Sequence, residues 1–350
     1  MTTSLEEIDQ QLESARRMAS SVLCAPVDDI QAVGGGRNSR VYWVSLGNSH
    51  SRALKVYFHH ASDNRNRMQT EFTSLAFLWL NGVRNVPEAL IASSELGCAV
   101  YSWIEGRKFA RWDVTAPEID SAAAFLQRLL ELRTAPGVES LGAASEACFS
   151  GSAIEENLRC RLEPLRNQSE SPELEAFLSS KFVPALDSMC QWSRGRLGEA
   201  FQADLPRDAR TLSPSDFGFH NALKTETGDT CFLDFEYFGW DDPAKTICDF
   251  LLHPGMLLPE ALKRRFAQST VGALPFRAGL RERVEAYYPL FGLKWCLILL
   301  NEFLPAHLLR RRFAGMSEAA GRIKQAEQLD KAERMLQGII EEYERFPYFD

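Results

Sequence analysis

Apolar residues recur three and four positions apart from the start of the chain. Leu5, Ile8, Leu12, Ala15 and Met18 share one face, which predicts an amphipathic opening helix. The rhythm then changes. Ile30 to Val33 is apolar, Gly34-Gly35-Gly36 interrupts, and Val41, Trp43 and Ser45 alternate with Tyr42, Val44 and Leu46. This is the pattern of a hairpin with a glycine-rich turn. Ala53 to Tyr57 predicts a short strand, followed by a polar segment and a helix whose Phe72, Leu75, Leu78 and Trp79 lie together. Val86-Pro87 and Ala89 to Ala92 start another strand, and Cys98 to Ile104 a further one ending at Glu105-Gly106. Beyond Gly106 helical spacing dominates, over about 117–134, 152–168, 172–196 and 258–269, with one strand-rich island from Thr230 to Phe238. Tyr287 to Leu309 is the most apolar stretch, but Lys294, Asn301 and Glu302 break it, so it reads as a buried helix and not a membrane span. From Ser317 to Phe346, the residues Ile323, Ala326, Leu329, Ala332, Leu336, Ile339 and Tyr343 line one side. That row fits a helix docked on a helical lobe, with a coiled coil as the alternative. The pattern as a whole predicts an α+β chain with a small β-rich lobe, residues 1–105, and a large helical lobe, residues 106–350.

Composition narrows the class. Of 350 residues 45% are hydrophobic and 25% charged, which excludes disordered, collagen-like and membrane-embedded chains. A formal net charge of −8 argues against a nucleic-acid partner, because such a partner needs a cationic surface. The acidic start lacks the basic and apolar regions of a signal peptide, so a cytoplasmic protein is expected. Eight scattered cysteines with no CxxC pair fit free thiols in a reducing compartment better than zinc or a disulfide framework.

Chemistry enters at the glycine-rich turn. Gly34, Gly35 and Gly36, followed by Asn38 and Ser39, can bring backbone N–H groups close to a phosphate, although a plain turn has the same composition. No Lys-Ser/Thr follows, so this is not a P-loop. Lys55 lies inside an apolar strand, where a charge needs a partner, and Glu71 follows on the next helix. A strand lysine oriented by a helix glutamate behind a glycine loop is the arrangement with which kinases hold nucleotide phosphates. Further on come Ser213-Pro214-Ser215-Asp216-Phe217-Gly218-Phe219-His220-Asn221 and Phe232-Leu233-Asp234-Phe235-Glu236. Asp216 can take a proton from an attacking hydroxyl, and Asn221 and Asp234 can offer oxygens to Mg²⁺. The run Asp216-Phe217-Gly218 spells the metal motif of protein kinases, but the asparagine five residues later marks Asp216 as the catalytic-loop residue and Asp234 as the metal residue.

The order of these parts resembles the aminoglycoside phosphotransferase and choline kinase-like family, from about Val33 to Asp249. Asp216, Asn221, Asp234, Glu236, Asp242-Pro243 and Asp249 match its motifs, and Cys98 to Gly106 resembles its hinge strand. The resemblance implies a protein-kinase-like bilobal fold, ATP or GTP as phosphoryl donor, Mg²⁺, and a small-molecule hydroxyl acceptor. It also implies that backbone groups near Ser102 and Ile104 hold the adenine. One departure is plain. The family's motif histidine is Pro214 here, and His220 is the candidate to brace the loop instead. Glu236, Trp240, Asp242 and Glu302 are candidate acceptor contacts, an aromatic among carboxylates suiting a cationic or polyhydroxylated acceptor. Asp242 before a proline equally suits a helix cap, and Glu302 a satisfied core position. Between Asp216 and Asp249, eight acidic residues stand against Lys224 and Lys245, which concentrates most of the chain's surplus charge in this segment. His59-His60 reads as surface and Arg310-Arg311-Arg312 as a solvated helix end, with an anion contact as the alternative. The lost histidine also leaves open a nucleotide-binding pseudokinase with a scaffolding role. A protein kinase fits less well, because Asp234 follows Asp216 closely and no Ala-Pro-Glu closes an activation segment.

Overall fold

Alternating apolar positions fold the first hundred residues into an antiparallel sheet with two different faces. The computed structural model describes residues 5–35, 39–47, 50–58, 65–168, 171–273, 279–305 and 318–349. Gly36, Asn38, His59-His60 and Arg310-Arg311-Arg312 therefore lie outside the described residues. Helix α1 (Leu5–Leu23) precedes β1 (Asp29–Gly35), β2 (Ser39–Leu46) and β3 (His50–Tyr57). Helix α2 (Arg67–Leu80), β4 (Ala89–Ser93) and β5 (Cys98–Ser102) follow, and the sheet runs β1-β2-β3-β5-β4. Its outer face buries Tyr42, Val44, Leu54 and Val100 against Ala15, Ala19 and Val22 of α1. Its inner face carries Tyr57, Ala99 and Tyr101 into the main core. Register sets Lys55 between Val41 and Ala99, mid-sheet and on that inner face, because it is one residue past Leu54.

The large lobe begins with β6 (Gly106–Lys108), α3 (Ala116–Glu131) and α4 (Gly151–Arg166). The single helix expected over 172–196 is α5 (Pro172–Phe177) joined through a π turn, Leu178–Phe182, to α6 (Val183–Leu197). Short strands β7 (Thr211–Ser213), β8 (Ala222–Thr225), β9 (Thr230–Phe232) and β10 (Gly239–Asp241) follow. They form the sheets β6-β8-β9 and β10-β7. The predicted strand therefore ends early. Asp234 has φ +66°, a left-handed conformation that takes the chain out of the sheet. Gly239 starts the next strand where a Cβ would sit 2.5 Å from the amide of Ala144 and the carbonyl of Gly142, so only glycine fits.

Helices α7 (Pro243–Leu252), α8 (Glu260–Ala273), α9 (Leu280–Leu299) and α10 (Glu318–Glu342) complete the lobe. Lys294 lies within α9, which is buried along most of its length; Asn301 and Glu302 fall in a 3₁₀ turn beyond it, and α10 docks on α9 through Ala332, Leu336 and Ile339. Ile323, placed on that apolar row by the sequence, is exposed. Among the described residues no helix is long and apolar enough to cross a membrane.

Candidate active site

Lys55 is buried, and its ammonium is shared. Nζ lies 2.7 Å from Oε2 of Glu71 on α2, 2.6 Å from Oδ1 of Asp234, and 3.8 Å from Oε2 of Glu236. Burial works against the charged amine, but these carboxylates outweigh it and hold the lysine protonated far above its usual range. The hydroxyl of Tyr57 approaches Oε2 of Glu71 at 2.7 Å and that of Tyr101 at the same distance. Burial pushes the Glu71 carboxyl up, and Lys55 opposes the shift. The sheet, α2 and the segment after β9 thus meet at one cation. Arg67, also on α2, lies 3.5 Å from Oε1 of Glu236, so both acids of the Asp-x-Glu pair are tied to the small lobe.

The catalytic-loop candidate is built by alternation. Phe217 and Phe219 point down into an aromatic core with Phe125, Phe232 and Phe250, which turns Asp216 and His220 the other way. Gly218 has no room for a side chain, since a Cβ would sit 2.4 Å from Sδ of Met256 and 2.9 Å from Nδ1 of His220. Nε2 of His220 lies 3.1 Å from Oδ1 of Asp216. The Asn221 side-chain amide donates to the Asp216 carbonyl at 3.0 Å and to Oδ2 at 3.2 Å, which leaves the Asn221 side-chain oxygen for a cation. The carbonyl of Asn221 accepts from the Leu233 amide at 2.8 Å, bringing the Asp216 loop beside Asp234.

His253, unremarked in the sequence, joins this group from just past α7. Its Nε2 lies 3.5 Å from Oδ1 of Asp216, and its ring stacks on that of His220 with centroids 3.7 Å apart and planes 6° from parallel. Burial would raise the Asp216 carboxyl, yet the two histidines pull it far below the usual carboxylate range. Burial also lowers the His253 imidazole, against the opposing pull of Asp216. A lone histidine so far from the motif leaves no local signal in the sequence.

In the sequence Lys245 stands out only as one of two cations in the acidic segment from Asp216 to Asp249. It is fully buried, with Nζ 2.7 Å from Oδ2 of Asp241, 3.4 Å from Oδ2 of Asp249 and 3.1 Å from Oγ of Ser215. Asp242 is buried too. It caps α7 by accepting from the Ala244 amide at 2.8 Å and pairs with Arg283 at 3.0 Å, so of its two readings the geometry favours the cap. Glu302 is likewise buried, whereas Trp240 is half-buried on β10. Ser102 has its amide bonded to the Glu88 carbonyl at 2.9 Å, so it has no N–H for a base; Ile104 lies just beyond the strand. Gly34 and Gly35 end β1 and Ser39 begins β2, opposite Tyr57.

Among the described residues two groups of side chains could hold a metal: Glu71, Asp234 and Glu236, and Asp216, His220 and His253. Lys55 already supplies the cation within the first, and both rings converge on one oxygen of Asp216 in the second. The second oxygen of Asp234 and the side-chain oxygen of Asn221 are hard donors of the kind Mg²⁺ takes.

No curated protein matches the chain. Among solved structures, the choline kinase LicA from Streptococcus pneumoniae is similar at 16% identity and TM-score 0.62, over 94% of this chain and 99% of that one. A spectinomycin phosphotransferase solved with ADP and spectinomycin is similar at 12% identity and TM-score 0.63, over 94% and 97%. The choline kinase of Cryptosporidium parvum Iowa II gives 13% and 0.58, over 89% and 90%. At such identities the likeness is one of fold, the protein-kinase-like bilobal one. Residues 29–287, from the start of β1 to midway along α9, match the phosphotransferase enzyme family, and the chain belongs to that family.

Proposed function

We propose that this protein transfers the γ-phosphoryl group of ATP, or of GTP, to a hydroxyl of a small molecule in a reducing cytosol. The observation that carries the reading is the sharing of Lys55 between Glu71 and Asp234, at 2.7 and 2.6 Å, beside a carboxylate and an amide held together in the Asp216 loop. In this reading Gly34, Gly35, Gly36, Asn38 and Ser39 cover the phosphates and the backbone at Ile104 meets the adenine. Lys55 grips the α- and β-phosphates and Glu71 keeps it in place. Asp234 and Asn221 would hold Mg²⁺, which when bound neutralises charge on the transferring group.

Asp216 receives the acceptor hydroxyl. With its proton affinity pulled down by two imidazoles, it is ionised throughout the physiological range and is a weak base at rest. Its first task is therefore orientation. As the acceptor oxygen bonds to phosphorus and the bond to the nucleoside diphosphate breaks, the hydroxyl acidifies and its proton passes to Asp216.

The pseudokinase alternative drew on Pro214, and the two histidines on Asp216 weaken it. The acidity after Asp216 gives less support to a cationic acceptor than the sequence suggested. Glu236, Asp241, Asp242 and Asp249 each have a cationic partner inside the fold. Asp216→Asn should lower transfer by about 10²–10⁴-fold while magnesium–nucleotide affinity, measured by calorimetry, stays as in the parent. Full activity of that variant with any acceptor would remove Asp216 from its role.

A further inference from the structure

Asp216 needs a fixed direction more than it needs basicity, and the Asp216 loop does not supply that alone. His220 is on the same loop, and its Nδ1 is buried with no hydrogen-bond partner among the described residues. The contact of its Nε2 with the Asp216 carboxylate puts the proton of the neutral ring on Nε2, but among the described residues no second hydrogen bond holds the ring. His253 is held at both ring nitrogens. Its Nδ1 accepts from the Gly255 amide at 3.1 Å, so in the neutral ring the proton sits on Nε2, facing Asp216. Its ring is also held on two sides, flat against His220 and edge-on to Trp295, with centroids 4.5 Å apart.

The contacts beyond Trp295 form a closed circuit. The Trp295 indole N–H donates to Oδ1 of Asp249 at 3.0 Å, Asp249 pairs with Lys245, and Lys245 donates to the hydroxyl of Ser215. Ser215 immediately precedes Asp216 and stands at φ +68°, an unfavourable conformation that side-chain hydrogen bonds must maintain. Its amide donates to Oγ of Ser213 at 3.0 Å, and its hydroxyl donates to the Ser145 carbonyl at 3.2 Å. Asp216 is thus fixed through its backbone from Lys245 and through its carboxylate from His253, both anchored on α7 and α9.

We infer that His253 is the positioning residue of Asp216. It directs Oδ1 away from the cleft, sets the ring of His220 by stacking, and leaves Oδ2 beside Asn221 to receive the acceptor hydroxyl. This rests on the phosphotransferase reading above, and it places the brace outside the motif in which Pro214 stands.

The test uses full-length protein with three substitutions. His253→Ala should lower kcat by about tenfold to a hundredfold with the KM for magnesium–ATP unchanged. His253→Gln, whose side-chain amide can still donate, should recover most of that loss. His253→Phe keeps the stacked ring without the donor, so it should melt like the parent and be as slow as His253→Ala. A His253→Phe enzyme as fast as the parent would mean that the ring acts by packing alone, and would overturn the inference. A separate measurement needs no turnover. In imidazole ¹⁵N–¹H spectra the Nε2-bound proton of His253 should shift in Asp216→Asn, and an unmoved signal would also overturn it. If the parent transfers to no acceptor, the phosphotransferase reading falls while this spectrum still decides the contact.

Discussion

Glu146 shows what a single residue contributes where backbone conformation and charge conflict. Its φ is +59°, unfavourable for a side chain with a Cβ, yet its carboxylate meets Lys294 at 3.2 Å, Arg161, and Arg65 at 3.9 Å. Burial pushes the carboxyl up, but Lys294 and Arg161 prevail and bring it down to about 2 from 4.5. The sign follows from linkage. A lowered carboxylate pKa adds stability that is complete above about 4.5 and lost as the pH falls toward about 2. Glu146→Gln should therefore be less stable than the parent at neutral pH. Denaturant titrations across the acid range should show the gap closing between those two values, and a gap independent of pH would refute the ion pair. At this scale the sequence was legible where chemistry imposes spacing. Asp216 with Asn221, Lys55 with Glu71, and Asp234 all came from local patterns, and the structure brings them together. Glu146, His253 and Trp295 carried no such pattern, because their partners are fixed by tertiary packing.

Helix α7 connects these residues to the fold. Asp242 caps it, Pro243 opens it, and its whole length is buried, so it cannot shift without breaking the core. Within it Lys245 lies between Asp241 and Asp249, a fully desolvated cation with two carboxylates. Removing one partner from such a group leaves a buried charge behind and typically costs about 3–5 kcal/mol. Lys245→Met should show a loss of that order in chemical denaturation. Adding Asp241→Asn should restore part of it, because the uncompensated carboxylate goes too. Equal stability of the single and double variants would show that Asp241 is not the partner that matters. In the sequence, Lys245 is only one of two cations in an acidic segment and Asp242 has two readings. Periodicity placed α3, α4, α8 and α10 to within a few residues, since one apolar face suffices to define a helix. Helix α9 spans Leu280–Leu299 where the apolar stretch pointed to Tyr287 to Leu309, and the wholly buried α7 has no polar face to set a period. Periodicity overextended the strand at Asp234, because a left-handed residue has no hydrophobic signature.

Alternation along the small-lobe strands also determines how the whole molecule holds together. The outer face forms a minor core with α1, whereas the inner face carries Tyr57, Ala99 and Tyr101 into the cluster that holds Phe125, Phe217 and Phe250 of the large lobe. Polar links reinforce the junction: Lys55 on Asp234, Arg67 beside Glu236, and the Phe232 amide on the Asn85 carbonyl at 2.9 Å. A boundary near residue 105 thus marks a change of texture in the sequence more than a break in the core. Unfolding the small lobe alone would expose the apolar inner face and take Lys55 and Arg67 from Asp234 and Glu236. The two lobes should therefore unfold together. Trp43 on β2 reports on the small lobe and Trp192, edge-on to Tyr343, on the far side of the large one. Variants keeping only one of these tryptophans should give the same urea midpoint by fluorescence, since coincident probes are the mark of a single transition. Asp234→Ala should then lower both midpoints alike. An earlier transition at Trp43 would show that the cleft, with its shared lysine, is a seam between two separately stable bodies.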